Sequence, residues 1–157
     1  MKKINSAFAL LLMISLLAGG EIARAQSMGK QTVAMLEESP AGSKILRFVK
    51  AVNKGEAIPD DFIKLIFHED LIAKAGLAGL KNMMENDIPE NDGKLTLYLV
   101  ERVERFKFVL YAKGSKSPGW LKMDFTHKGS SPYKIVGVGV DGIDEAPERA
   151  DKPMKID

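Results

Sequence analysis

The apolar residues of this chain change period at Leu95. Upstream they recur every three or four positions, as in "SPAGSKILRFVKAVNKG", where Ile45, Leu46, Phe48, Val49 and Val52 share one helical face. Downstream, "LTLYLVERVE", "RFKFVLYAKG", "GWLKMDFTHK" and "YKIVGVGV" alternate. They are rich in aromatic and β-branched residues and are separated by polar or Gly/Pro turns. Helices followed by strands on short turns predict an α+β class. N-terminal helices would pack on one side of a curved antiparallel sheet of four strands or slightly more.

Local punctuation sharpens the helical half. Ser39 is placed to cap a helix, Pro40 sits where its missing N–H costs nothing, and Gly55 supplies a left-handed stop. A second helical stretch opens at Pro59, with Asp60 and Asp61 complementing the helix dipole. Gly76 and Gly79 are expected to break it into short helices and Pro89 to close it. Residues 26–38 carry only a weak apolar stripe, which reads as a loose arm or a short helix.

The start of the chain, "MKKINSAFALLLMISLLAGGEIARAQS", has basic residues, an apolar run from Ala7 to Ala18, and Ala23-Arg24-Ala25 as a small-x-small cleavage signal. It reads as a secretory signal peptide, residues 1–25, and implies a periplasmic or secreted protein. A membrane anchor is the competing reading, but a span needs roughly 20 apolar residues and Gly19, Gly20 and Glu21 interrupt too early. Three bases and one acid leave with this segment, from totals of 23 and 21, so the remainder carries 20 of each. Near-neutral charge argues against nucleic acid as a partner. No later segment is apolar enough to span a membrane, and with no cysteine neither disulfides nor a lipid-anchoring thiol are available. The expected organisation is a domain over 39–147 and a charged tail, 148–157, loosely ordered at its end.

Several strings resemble chemical motifs. Gly137, Gly139 and Gly142 spell G-x-G-x-x-G, but a dinucleotide fold needs a helix and a distal acid after it, and only 15 residues remain. The glycines read instead as one face of a strand on which Val136, Val138 and Val140 occupy the other, letting the sheet bend or a neighbour approach. Ser131–Lys134 and Ser27–Lys30 match S-x-x-K without its partner motifs. No cofactor is expected. The two histidines, His68 and His127, lack metal-ligand spacing. In "FHED", His68 with Glu69 and Asp70 reads as a helix start rather than an acid–base centre.

Alternation puts Leu121, Met123, Phe125 and His127 on one face of a strand and Lys122, Asp124 and Thr126 on the other. His127 thus ends an apolar row at a pocket's tip or faces solvent; Asp124 reads as a solvated carboxylate. Tyr98 and Tyr111 are packing tyrosines able to lend a hydroxyl to a cavity. "VERVER", Val100–Arg105, offers cross-strand ion pairs.

The order of helices and meander, with Gly119-Trp120, the alternating Leu121, Met123 and Phe125, and then Pro132, Lys134, Ile135 and Gly137, resembles the nuclear-transport-factor-2-like (polyketide-cyclase-like) superfamily. "FVKAVNKGE" and "DFIKLIFHEDLIAKAG" suit its first helices. The likeness, over about residues 40–147, is nearest to the secreted versions found beside serine-hydrolase or β-lactamase-like domains. It implies a cone-shaped domain with a pocket at its open end, and frequently a homodimer. On that expectation His127, Tyr111, Trp120, Gly137 and Gly139 would meet a small apolar molecule, a peptide or a partner protein. The leading expectation is an exported, non-catalytic binding or accessory module. The alternative is an isomerase- or lyase-type enzyme using His127 or Asp124 with Tyr98 or Tyr111.

Overall fold

The computed structural model describes residues 33–148 and 153–154. Residues 1–25, read as a signal peptide, residues 26–32 with the Ser27–Lys30 match, and most of the tail lie outside the described residues. Helix α1 spans Val33–Glu38 and α2 spans Pro40–Lys54. As the sequence predicts, Ser39 caps α2, its hydroxyl accepting the Gly42 N–H at 3.2 Å, and Gly55 ends it at φ 65°. The arm is therefore helical from Val33. It lies tight on α2, because a Cβ on Gly42 would stand 2.5 Å from the Leu36 backbone.

The second helical stretch divides differently from expectation. It comprises α3 (Asp60–Ile66), α4 (Glu69–Ala75), α5 (Leu77–Asn82), a π-helical turn (Met83–Asp87) and α6 (Ile88–Asn91). Gly76, at φ 76°, does separate α4 from α5, but Gly79 lies inside α5 and Pro89 sits in the first turn of α6 rather than closing the run. The first break is at Phe67, which forms a parallel bridge with Ile135, while the His68 N–H donates to the Ile135 carbonyl at 2.8 Å. His68 then caps α4, its Nδ1 accepting the Asp70 N–H at 3.2 Å, with Glu69 and Asp70 in the first turn. The helix-start reading of "FHED" is thus the observed one.

Strands β1 (Leu95–Glu104), β2 (Lys107–Gly114), β3 (Trp120–His127) and β4 (Ile135–Ile143) form an open antiparallel sheet in sequence order. The fold is α+β, with helices on one face. Leu97, Leu110, Met123 and Phe125 point to that face and are buried, and Phe48 of α2 meets Phe125 and Phe67 edge-on at ring distances of 5.3 and 6.2 Å. Extra residues interrupt the pairing at Tyr98 and Val103 of β1 and at Val136 of β4. Such bulges bend a strand and change which side chains face the core. Val136 accordingly leaves the valine row, and Ile135 fills the core position opposite His127.

Of the tail beyond Glu148 the described residues are 153 and 154. Met154 donates its N–H to the Leu97 carbonyl at 2.6 Å and packs against the core. Among the described residues "VERVER" forms no ion pair: Arg102 donates to the Arg105 carbonyl at 2.7 Å, and Arg102 and Arg105 stand over the rings of Phe108 and Phe106.

Candidate functional site

The residues singled out from the sequence divide between two faces of the sheet. His127, at the end of the core-facing row of β3, is 3% exposed, so the solvent-facing alternative does not hold. Its ring meets Phe108 edge-on at 5.6 Å. Among the described residues neither ring nitrogen has a hydrogen-bond partner. Burial lowers its pKa to about 4, only partly offset by the nearby carbonyls of Phe106 and Ala41. Those carbonyls favour a charged ring, but desolvation is the larger effect and prevails.

Asp124 and Tyr111 stand on the opposite face. Asp124 pairs with Lys122 at 3.4 Å and is half-buried. The Tyr111 hydroxyl donates to Glu101 at 3.4 Å, and its pKa is raised by burial first and then by the Glu101 carboxylate. A phenol held protonated beside a carboxylate is a poor general base. Tyr98 meets Trp120 edge-on at 4.9 Å, and the Lys113 ammonium lies 4.7 Å over the Trp120 ring. Trp120 is 8% exposed. The chain also crosses here: Pro147 and Glu148 wall a cleft with Leu99, Glu101 and Tyr111.

Gly137 and Gly139 are on this outer face, opposite Thr126 and Asp124. A Cβ at either would come no closer than 3.6 or 3.9 Å to those partners, an ordinary contact. Nothing in their surroundings demands glycine. The sheet therefore does not bring His127, Asp124, Tyr98 and Tyr111 into one pocket, and the expected ligand set of His127, Tyr111, Trp120, Gly137 and Gly139 is divided in the same way. Among the described residues there is also no group of three or more side chains able to hold a metal ion.

The apolar concavity lies elsewhere, on the outer side of α2. Helix α2 contributes Arg47, Lys50, Ala51 and Lys54; the connection to α3 returns alongside with Ala57, Ile58 and Pro59; Phe62 of α3 closes one end. The groove is open to solvent on one side and its volume is about 400 Å³, within the range typical of small-molecule sites. Its wall is held by an acid from another element: the Ile58 N–H donates to Glu85 Oε1 at 2.5 Å. Lys54 is paired with Glu56 at 2.6 Å, whereas Arg47 and Lys50 have no ion-pair partner among the described residues. Sequence reasoning missed this site. Its one visible signal is a run of bases at 47, 50 and 54 on the solvent side of an amphipathic helix, which by itself reads as a solvated face.

No family model matches the chain, and no curated protein or solved structure matches it.

Proposed function

We propose that the chain is an exported, non-catalytic binding module, and that its ligand occupies the groove between α2 and residues 56–62 rather than the mouth of a cone. The observation that carries this reading is the groove itself, an apolar floor of Ala51, Ile58 and Phe62 with a rim on which Lys54 pairs with Glu56 while Arg47 and Lys50 have no ion-pair partner among the described residues. The isomerase alternative needs a base within about 3 Å of the proton it removes, together with a partner acid. Its members stand on two sides of the sheet, with His127 sealed in the core. Export rests on the reading of residues 1–25, and the nuclear-transport-factor-2-like resemblance on the shared order of helices and meander. Neither is needed for the groove.

The test is a neutral apolar fluorophore, N-phenyl-1-naphthylamine, titrated into the purified protein. Saturable binding that Ala57→Trp abolishes and Tyr111→Phe leaves intact is the expected result, with circular dichroism confirming that both variants fold. Binding insensitive to Ala57→Trp, or lost with Tyr111→Phe, moves the site to the sheet face and overturns the assignment. Mass spectrometry of the mature protein should find Gln26 at its N-terminus; an intact leader would overturn export.

A further inference from the structure

We propose that the groove takes a single-chain amphiphilic anion, a carboxylate or phosphate head on an aliphatic tail, with the head held by Arg47 and Lys50 and the tail laid over Ala51, Ile58 and Phe62. This deepens the preceding reading and rests on it, since it names the chemistry of the ligand in the same groove.

The argument is one of charge and shape together. Arg47 and Lys50 lie one turn apart on α2, both exposed, both lining the groove and neither neutralised by an acid among the described residues. Lys54, the third base on the rim, is already paired with Glu56. The positive charge is therefore concentrated at the Arg47–Lys50 end. It extends beyond the groove, because Lys44 has its pKa lowered first by burial and then by Arg47 and Lys134. Neighbouring cations without an ion-pair partner among the described residues are a place where an anion relieves repulsion as it binds. An inorganic anion would leave the apolar wall unused, and an uncharged hydrocarbon would leave the cations unused. A ligand with an anionic head and one aliphatic tail uses both. Arg suits such a head because its planar fork can bind two carboxylate or phosphate oxygens at once.

The experiment is calorimetric titration of the purified protein with dodecanoate, dodecyl phosphate, dodecanol and dodecyltrimethylammonium, each below its micelle concentration. It is repeated with Arg47→Glu/Lys50→Glu and with the charge-matched control Lys64→Glu/Lys74→Glu, whose sites are exposed and do not line the groove. The two anions should bind at least about tenfold more tightly than the alcohol or the cation, a factor equal to one charge-assisted hydrogen bond. The groove double variant should erase that margin while leaving dodecanol binding in place, and the control should keep it. Equal affinity for dodecanol and dodecanoate overturns the anionic head but leaves the groove reading standing. Equal loss in the control pair overturns a local head site in favour of diffuse charge. No binding by any of the four overturns both readings. Binding to phosphatidylglycerol vesicles without binding to any free anion overturns the pocket and assigns the cations to a membrane surface.

Discussion

The side-chain amide of Asn53 makes to Leu95 the two hydrogen bonds that a neighbouring strand would make. Its Nδ2 donates to the Leu95 carbonyl at 2.8 Å and its Oδ1 accepts the Leu95 N–H at 2.7 Å. β1 is an edge strand, and Asn53 of α2 closes the start of that edge while tying helix to sheet. Met154 occupies the next outward carbonyl, at Leu97, and on the far edge His68 occupies that of Ile135. The start of each edge is thus occupied by the chain itself, which disfavours strand-to-strand pairing there. Asn53→Ala leaves a part-buried donor and acceptor unpaired. It should cost about 1–3 kcal/mol in urea unfolding, the penalty of unsatisfied backbone groups. A loss below a few tenths would mean that water replaces the amide without cost.

His127 makes stability depend on pH. Its folded pKa, about 4, lies below the ordinary value of 6.5, so the folded state resists a proton that the unfolded chain accepts. Above 6.5 both states are neutral and nothing is lost. As pH falls from 6.5 to 4 the unfolded state is increasingly favoured, and below 4 the effect levels off. The full loss is about 3 kcal/mol. His127→Leu, which keeps an apolar group against Phe108, should flatten this segment of the stability profile in urea melts at stepped pH. An unchanged slope in the variant would assign the acid sensitivity to carboxylates instead.

Two glycines should respond oppositely to alanine. At Gly42 alanine has the better helix propensity by about 1 kcal/mol, but its Cβ would sit 2.5 Å from the Leu36 backbone, where no side chain can turn aside. The overlap should win, for a net loss of about 1–3 kcal/mol. At Gly139 the nearest atom is the Asp124 Cβ at 3.9 Å, and the residue is not in the left-handed region. Gly139→Ala should therefore stabilise by about 0.4–1 kcal/mol through the unfolded chain. Thermal melts of the two variants moving the same way would refute this distinction.

The legible features were those decided by near neighbours in the chain. Ser39, Pro40 and Gly55 bracket α2 because capping acts within a turn, and the alternation of β3 assigned its core face correctly. The break at Phe67 was hidden because no glycine or proline marks it: the His68 N–H leaves the helix for Ile135, 67 residues on. The phase of His127 was readable, but its burial was not, because a strand's end is sealed or open according to what packs over it. The contact of Met154 with the β1 edge was not readable either, because it rests on a single hydrogen bond to Leu97, far back in the chain. The groove was least visible of all. Its cations look solvated until residues 56–59 return beside α2, and what returns them is Glu85, 27 positions from Ile58.

Glu85 therefore links stability to binding. Its carboxylate is the acceptor for the Ile58 N–H, and Ile58 is both buried and part of the groove floor. Glu85→Ala removes a hydrogen bond to a charged group and should cost about 1.5–3 kcal/mol of stability. It should also weaken binding of the neutral fluorophore, because the wall formed by Ala57, Ile58 and Pro59 loses its tether. Glu85→Gln keeps an acceptor oxygen at the same reach and should retain most of both properties. The comparison separates the tether from the charge: if Gln behaves like Ala, the negative charge rather than the hydrogen bond holds the wall. Fluorophore affinity unchanged in Glu85→Ala despite the stability loss would show that the groove keeps its shape without this contact.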